Sequence, residues 1–457
     1  MKLHFLNRTD EQKRLARTLS SDGGALAVVY GRRRCGKSTL IQRVVGNSGV
    51  YYLADQKETS LQLRDLAAEI DRLIPGFSSA TYSGWDALLA TLNSRLTRSI
   101  SLFLDEVPYL VQLSPELPSI LQKYIDQPGA KKINLVLCGS SQRMMHGLVM
   151  DKAAPLYGRA VEILKIKPLN PGWIRPGLKL KGTEAVEAFS VWGGVPRYWE
   201  LAAQFSKLED AISELVLDPN GVLHEEPMRL LMDDMRSAVQ PYSLLSVIGQ
   251  GCHRLSEIAG RLGKPSTSIV RPLLQLVDLG YVRRETPFGE NSKSTKRTHY
   301  KLDDPFLIFY FKFLQPNKSQ LEVRAISPVM NRIRGQFQQH VSGIWEELAR
   351  ASVSASSIDG CEWGVARRWW GAGIDGAMVE IDGVAESLDG KALLVGEAKW
   401  SDARLPVAEL KAGLLAKVKN CAFARGRRIV PVIWSKHAYK NTGVHVLTPD
   451  AVLDCLQ

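Results

Sequence analysis

The chain contains no apolar run approaching the ~20 residues needed to cross a bilayer, so a membrane-spanning protein is not expected. Its opening, Met1 to Glu11, lacks the long apolar core of a secretory signal. Cysteine is sparse, with six in 457 residues (Cys35, Cys138, Cys252, Cys361, Cys421, Cys455), and none forms a C-x-x-C pair. That spacing argues against a zinc site and a disulfide framework, and predicts free thiols in a reducing cytoplasm. Negative charge is the minority sign: 47 acidic side chains stand against 59 basic ones, a net of +12. The excess favours an acidic partner, most simply nucleic acid and DNA first. A protein partner or trigger, and association between copies, are left open at this level.

With 45% hydrophobic residues the chain has material for buried cores, and its length suits three or four domains. Residues Gly31-Arg32-Arg33-Arg34-Cys35-Gly36-Lys37-Ser38 fit G-x-x-x-x-G-K-[ST] without a gap. Before them lies the apolar, β-rich stretch Ala25 to Tyr30. After them, Thr39 to Val45 carries a helical apolar pattern. Strand, glycine loop and helix together make a phosphate cradle. The backbone N–H groups point inward, Lys37 neutralises the β- and γ-phosphates of ATP, and the Ser38 hydroxyl meets Mg²⁺.

Ser101 to Glu106 reads as a buried strand ending in two acids. Asp105 is placed to hold Mg²⁺, and Glu106, next in line, to polarise the attacking water. A third strand, Ile133 to Ser141, ends in hydroxyls; Ser140 or Ser141 is a candidate γ-phosphate sensor, and an ordinary turn fits nearly as well.

Residues 1–165 alternate strand and helix patterns, which predicts a parallel sheet covered on both faces and hence a P-loop ATPase core. Residues 166–237 lose the strand signal; Ala185 to Phe205 and Lys207 to Val216 read as helices of a lid. Residues 238–324 carry three short helical runs and then a hairpin with a basic tip, the order of a winged helix-turn-helix. Its wing holds Arg283, Arg284, Lys293, Lys296, Arg297 and Lys301, suited to phosphate contacts. A winged helix used for packing or protein contacts fits the same pattern.

Residues 325–457 hold a second candidate site. Val379 to Ala385 and Leu393 to Lys399 read as strands joined at Asp389-Gly390. Glu397 and Lys399, two apart, share a strand face, and Asp382 lies on the partner strand. An Asp, a Glu and a Lys at the ends of paired strands suit a Mg²⁺ site. Asp382 and Glu397 would bind the metal and Lys399 would activate water for phosphodiester attack. Upstream, Glu346 or Glu347 on a helical run would complete the set. An amphipathic hairpin with exposed charges is the competing reading.

In order along nearly the whole chain, these residues resemble the archaeal-type P-loop ATPases of the STAND/AAA class that end in a restriction-endonuclease-like domain of unknown function. The matching pieces are Phe5-Leu6-Asn7-Arg8, the arginine-rich loop at Gly31 to Ser38, and Leu104-Asp105-Glu106. Then come Cys138-Gly139-Ser140-Ser141, Leu156-Tyr157-Gly158-Arg159, Gly193-Gly194-Val195-Pro196 and Asp304-Pro305 with Phe309 and Phe311. Trp345-Glu346, Glu380-Ile381-Asp382 and Glu397-Ala398-Lys399 close the set. The resemblance implies an α/β chain with four parts: P-loop sheet, helical lid, winged helix-turn-helix and a C-terminal PD-(D/E)xK nuclease-like domain. It implies that Pro196 packs on the adenine with Arg8 near the base, that Arg159 approaches the γ-phosphate, and that Glu346 takes the first acidic position of the nuclease-like core. Gly383 departs from the pattern, standing where an apolar residue is common.

Two functions follow as expectations: an ATP-gated enzyme acting on nucleic acid through a Mg²⁺-dependent nuclease-like site, or an ATP/ADP-controlled interaction switch whose C-terminal domain is catalytically silent. A DNA-binding regulator using the winged helix is a weaker third.

Overall fold

The computed structural model describes residues 5–46, 49–127, 131–235, 237–291, 295, 297–439 and 443–457. They divide into two compact units, one of Phe5–Pro168 with Arg229–Arg236, the other of Leu169–Met228 with Ser237–Gln457. Most of the residues expected as lid and all of those expected as winged helix therefore share a unit with the C-terminal sheet, and residues 229–236, expected in the lid, group with the P-loop core.

In the first unit, β1 (Leu26–Tyr30), β2 (Gly49–Leu53), β3 (Ile100–Asp105), β4 (Ile133–Gly139) and β5 (Glu162–Lys165) form a parallel sheet ordered β2-β3-β4-β1-β5. β1 and β4 are buried along their whole length, as strands covered by helices on both faces must be. Leu66, Ile70, Leu88, Leu92 and Leu121 from flanking helices pack with Leu102, Leu104 and Leu135 into the core. β4 lies between the P-loop strand β1 and the acidic strand β3, so its last residues emerge between the two halves of the candidate nucleotide site. All these strands run the same way, so Tyr30, Asp105 and Gly139 sit at one edge, where α/β sheets bind ligands.

In the second unit, the helical run expected over 185–205 is two helices, Gly182–Trp192 and Pro196–Ala202. Gly193 turns to φ +57° and Pro196 starts afresh at the first position of the next helix. Helices Val239–Gly249, Leu255–Arg261 and Ser266–Asp278 precede the antiparallel pair β6 (Val282–Glu285) and β7 (His299–Leu302). This is the element order expected of a winged helix.

Three of the wing's cations are paired within their own unit, while Arg284 is exposed. Arg283 pairs with Glu347 and Asp303, Lys301 pairs with Glu285, and Arg297 pairs with Glu290 and donates to the Trp370 carbonyl. His299 stacks on Trp370 at 4.8 Å, and the Phe288 N–H donates to the Arg368 carbonyl. Lys293 and Lys296 lie outside the described residues.

After the short pair β8 (Ser357–Ile358) and β9 (Cys361–Glu362), the chain builds a sheet. Its strands are β10 (Arg367–Ala372), β11 (Met378–Glu386), β12 (Ala392–Lys399), β13 (Arg428–Ser435) and β14 (His445–Leu447), ordered as numbered. β10 to β12 are antiparallel neighbours, while β12 to β14 run parallel. The 28-residue helix Ile326–Val353 packs on β11 and β12. A second cluster joins Ile381, Val384 and Val395 to Leu414 and Val418 of the helix Val407–Lys419.

Between the pairs Arg367↔Val384 and Trp369↔Ile381, β10 spends one residue and β11 spends two, Asp382 and Gly383. This is a β-bulge, a device that re-aims a side chain. Gly383 pairs directly with Gly396, and the indole of Trp434 lies over both. A Cβ on Gly396 would stand 1.9 Å from that ring and one on Gly383 3.0 Å from it. The glycine that departs from the family pattern thus makes half of a slot for a fully buried tryptophan.

Candidate functional site

The P-loop conformation follows from its glycines. Gly31 has φ +148°, and a Cβ there would stand 2.2 Å from the Ile166 carbonyl oxygen. Gly36, at φ +88°, precedes the helix Lys37–Val45 and has no atom within 4 Å of where a Cβ would sit, so a phosphate can approach the helix N-terminus closely. Lys37 Nζ donates to the carbonyls of Gly31 (2.8 Å) and Arg32 (3.1 Å), which holds its charge over the loop. Arg8 braces the loop from outside. Its guanidinium donates to the carbonyls of Cys35 and Lys167 and pairs with Glu11 at 3.0 Å. Its hydrogen bonds therefore tie the P-loop at Cys35 to the backbone after β5 at Lys167, a role the expectation of a contact near the base did not include. Cys35 is buried, Arg34 takes φ +68°, and Thr39 lies exposed beyond Ser38.

Asp105 is fully buried at the end of β3. It accepts from the Tyr51 hydroxyl at 2.7 Å and from the Glu106 N–H at 2.9 Å. Ser38 also reaches that hydroxyl, and burial together with Asp105 pushes the Tyr51 phenol up. Sequence reasoning missed Tyr51, because nothing in Gly49 to Leu53 marks it apart from its pairing of Leu53 with Asp105 across β2 and β3. Ser38 and Asp105 are hard oxygen donors brought to one place, a donor set that fits Mg²⁺.

Glu106 caps the next helix at φ +54°. A non-glycine residue in that region carries strain that functional sites commonly store. Its Oε2 accepts from both the N–H (3.2 Å) and the hydroxyl (2.9 Å) of Ser140 at the end of β4. Ser140, expected as a γ-phosphate sensor, is thus seen holding Glu106. Arg33 lies close enough for the Glu106 charge to act on it, and pairs with Asp233 at 3.0 Å.

Arg159 corrects an expectation. It makes a forked ion pair with Asp126, with bonds of 2.8, 3.0 and 2.6 Å. It lies just before β5, where the Val161 N–H bonds to the carbonyl of Leu26, the first residue of β1. That is the end of the sheet opposite the P-loop, so Arg159 does not approach the γ-phosphate in its own chain. Pro196 opens its helix in the other unit.

In the C-terminal sheet the bulge and the β11–β12 pairing bring Asp382 beside Glu397. Asp382 Oδ2 accepts the Ala398 N–H at 2.9 Å, and Arg350 donates to the Asp382 carbonyl at 2.8 Å. Burial and the neighbouring Glu397 push the Asp382 carboxyl up. Glu346, on the long helix, is pushed up to about 7 by burial and by Asp382. Burial alone would raise Glu397 too, but Lys399 at 2.7 Å and Lys417 at 3.1 Å outweigh it and hold that carboxyl low. Lys399, which burial would lower, is held up by Glu397. Three carboxylates and two lysines therefore interact in one region, with Glu346 poised to exchange a proton near neutrality. Among the described residues no three His, Cys, Asp or Glu side chains are grouped to hold a metal ion. Lys417, twenty residues from Glu397, carried no sequence signal for this site.

Residues 5–201 match a family described as an ATPase domain predominantly from Archaea, and residues 310–412 match a family of archaeal and bacterial proteins of unknown function. An uncharacterized protein of Methanocaldococcus jannaschii is 28% identical over 406 residues, 87% of this chain and 88% of that one. A Walker-type ATPase of Pyrococcus abyssi superposes with a TM-score of 0.51 at 19% identity, covering 67% of this chain and 96% of the other. The ORC2 protein of Aeropyrum pernix aligns at a TM-score of 0.43 and 16% identity, over 73% and 96%. The fold of the first unit is that of a P-loop ATPase, and the match to the archaeal ATPase domain lies in the N-terminal part of the chain.

Proposed function

We propose that this protein is an ATP-hydrolysing switch whose C-terminal acids form a divalent-metal-dependent phosphodiesterase acting on nucleic acid. The observation that carries the ATPase half is the buried Asp105 sharing the Tyr51 hydroxyl with Ser38, with Glu106 held one residue on by Ser140. Lys37 and the loop amides would take the β- and γ-phosphates of ATP, and Glu106 would accept the proton of the attacking water. Mg²⁺ held by Ser38 and Asp105 would neutralise charge developing on the phosphate oxygens. For the second half, the support is the meeting of Asp382, Glu346, Glu397 and Lys399, in which burial first and a neighbouring carboxylate second raise two carboxyls.

One observation favours the competing reading of a silent interaction platform. Glu397 already carries two lysines, and a metal would have to draw it away from at least one. The deciding experiment incubates the full chain with plasmid and linear DNA, and with RNA, in Mg²⁺ or Mn²⁺, with and without ATP. Metal-dependent cleavage lost in Asp382→Asn supports the phosphodiesterase. ATP turnover with no cleavage of any substrate leaves the ATP-controlled platform.

A further inference from the structure

A groove of about 750 Å³ runs beside the long helix Ile326–Val353, walled by β6 on one side and the start of β10 on the other. Five arginines (Arg283, Arg284, Arg350, Arg367 and Arg368) and three carboxylates, Glu285, Asp303 and Glu347, line it. The carboxylates are all engaged. Glu347 and Asp303 take Arg283, while Glu285 takes Lys301 at 2.7 Å and stands 4.0 Å from Arg350. Arg368 turns to Glu380. Arg284 and Arg367 are left, both exposed and both lining the groove, one from β6 and one from β10. Arg284 donates only to the Thr298 hydroxyl, at 3.2 Å, and among the described residues neither arginine has an ion-pair partner.

Two of the groove's arginines connect it to the acid cluster. Arg350, one of its walls, donates to the Asp382 carbonyl, and the charge of Arg368 acts on Glu346. Two unneutralised guanidiniums in one groove, beside ion pairs already closed on themselves, suit a ligand with repeating phosphates. The volume is that of a small-ligand cleft, which suits a strand or a strand end better than a duplex.

We propose that this groove holds the phosphate backbone of a single nucleic acid strand through Arg284 and Arg367 and leads it to Asp382 and Glu346. The inference rests on the phosphodiesterase reading for its destination, but binding is measurable without cleavage. The test uses the full chain and a fluorescent single-stranded oligodeoxynucleotide, read by anisotropy in EDTA over a range of salt, beside the same sequence as a blunt duplex. The parent should bind the single strand more tightly than the duplex. The R284A/R367A double variant should lose roughly tenfold or more in affinity and flatten the log–log salt slope by about 1.4, two phosphate contacts at ~0.7 each.

Unchanged affinity and slope in R284A/R367A overturns the groove, whether or not the protein cleaves. Preference for the duplex overturns the single-strand assignment. Groove-dependent binding in a protein that cleaves nothing supports the groove and removes the phosphodiesterase.

Discussion

Arg33 in the P-loop donates through Nη1 to Asp233 Oδ2 at 3.0 Å, joining the loop to a helix 200 residues further on. The neighbouring Asp234 accepts the Gln142 N–H at 2.9 Å just past β4, so two consecutive acids fasten that helix to the nucleotide edge of the sheet. The Arg33 pair is half exposed and worth about 0.2–1 kcal/mol. Asp233→Ala should free Arg33 for phosphate and tighten ATP binding by no more than about fivefold, while Arg33→Ala weakens it. Isothermal titration with a non-hydrolysable ATP analogue checks both signs.

Lys37→Ala removes a charge-assisted contact with phosphate. ATP affinity should fall about tenfold or more with the fold intact, because Lys37 bonds only to loop carbonyls here. Labelled-ATP filter binding alongside circular dichroism separates the two effects.

Glu106→Gln should retain ATP binding and cut turnover ~10²-fold or more. Ser140→Ala loosens Glu106 without removing it and should cost less, on the order of tenfold. Equal losses in the two variants in a phosphate-release assay would assign Ser140 a direct contact with the phosphate.

The nucleotide edge was legible because its signals are local. A glycine loop between strand and helix and a strand ending in two acids each declare themselves within ten residues. What escaped depends on distant partners. Asp233 acquires its meaning from Arg33, Lys417 from Glu397, and Gly383 from Trp434 across two strands. Arg159 misled because a motif of four residues does not say at which end of a sheet it lies. Arg283 and Lys301 of the wing changed meaning for a related reason: a cation reads as free until its acid, Glu347 or Glu285, is found.

Gly396→Ala should destabilise the protein by about 1–3 kcal/mol, since a methyl 1.9 Å from the Trp434 ring forces the sheet or the indole to move. Gly413→Ala, on an exposed helix position with no atom nearby, should not. Thermal unfolding of the two variants gives the contrast.

Glu285 would be raised by its burial, but Lys301, Arg350 and Arg283 more than compensate and hold it at about 2. A carboxyl held that low contributes stability in full above its ordinary value of 4.5, and loses it as pH falls towards 2. Glu285→Gln should therefore cost about 2 kcal/mol at pH 7, and the gap to the parent should close as pH falls from 4.5 towards 2. Urea unfolding at pH 7, 4 and 3 measures it.

The docked wing also governs how this protein can be taken apart. The C-terminal family match begins at residue 310, which looks like a natural place to cut. A fragment starting there would keep Glu347, Arg350 and Trp370 but lose Arg283, Glu285 and His299, stripping the long helix of its countercharges and baring one face of a tryptophan. The smallest piece that preserves these pairings begins ahead of β6. A truncated C-terminal domain that proved insoluble or inactive would therefore report a torn ion-pair network, and would say nothing about the chemistry of Asp382.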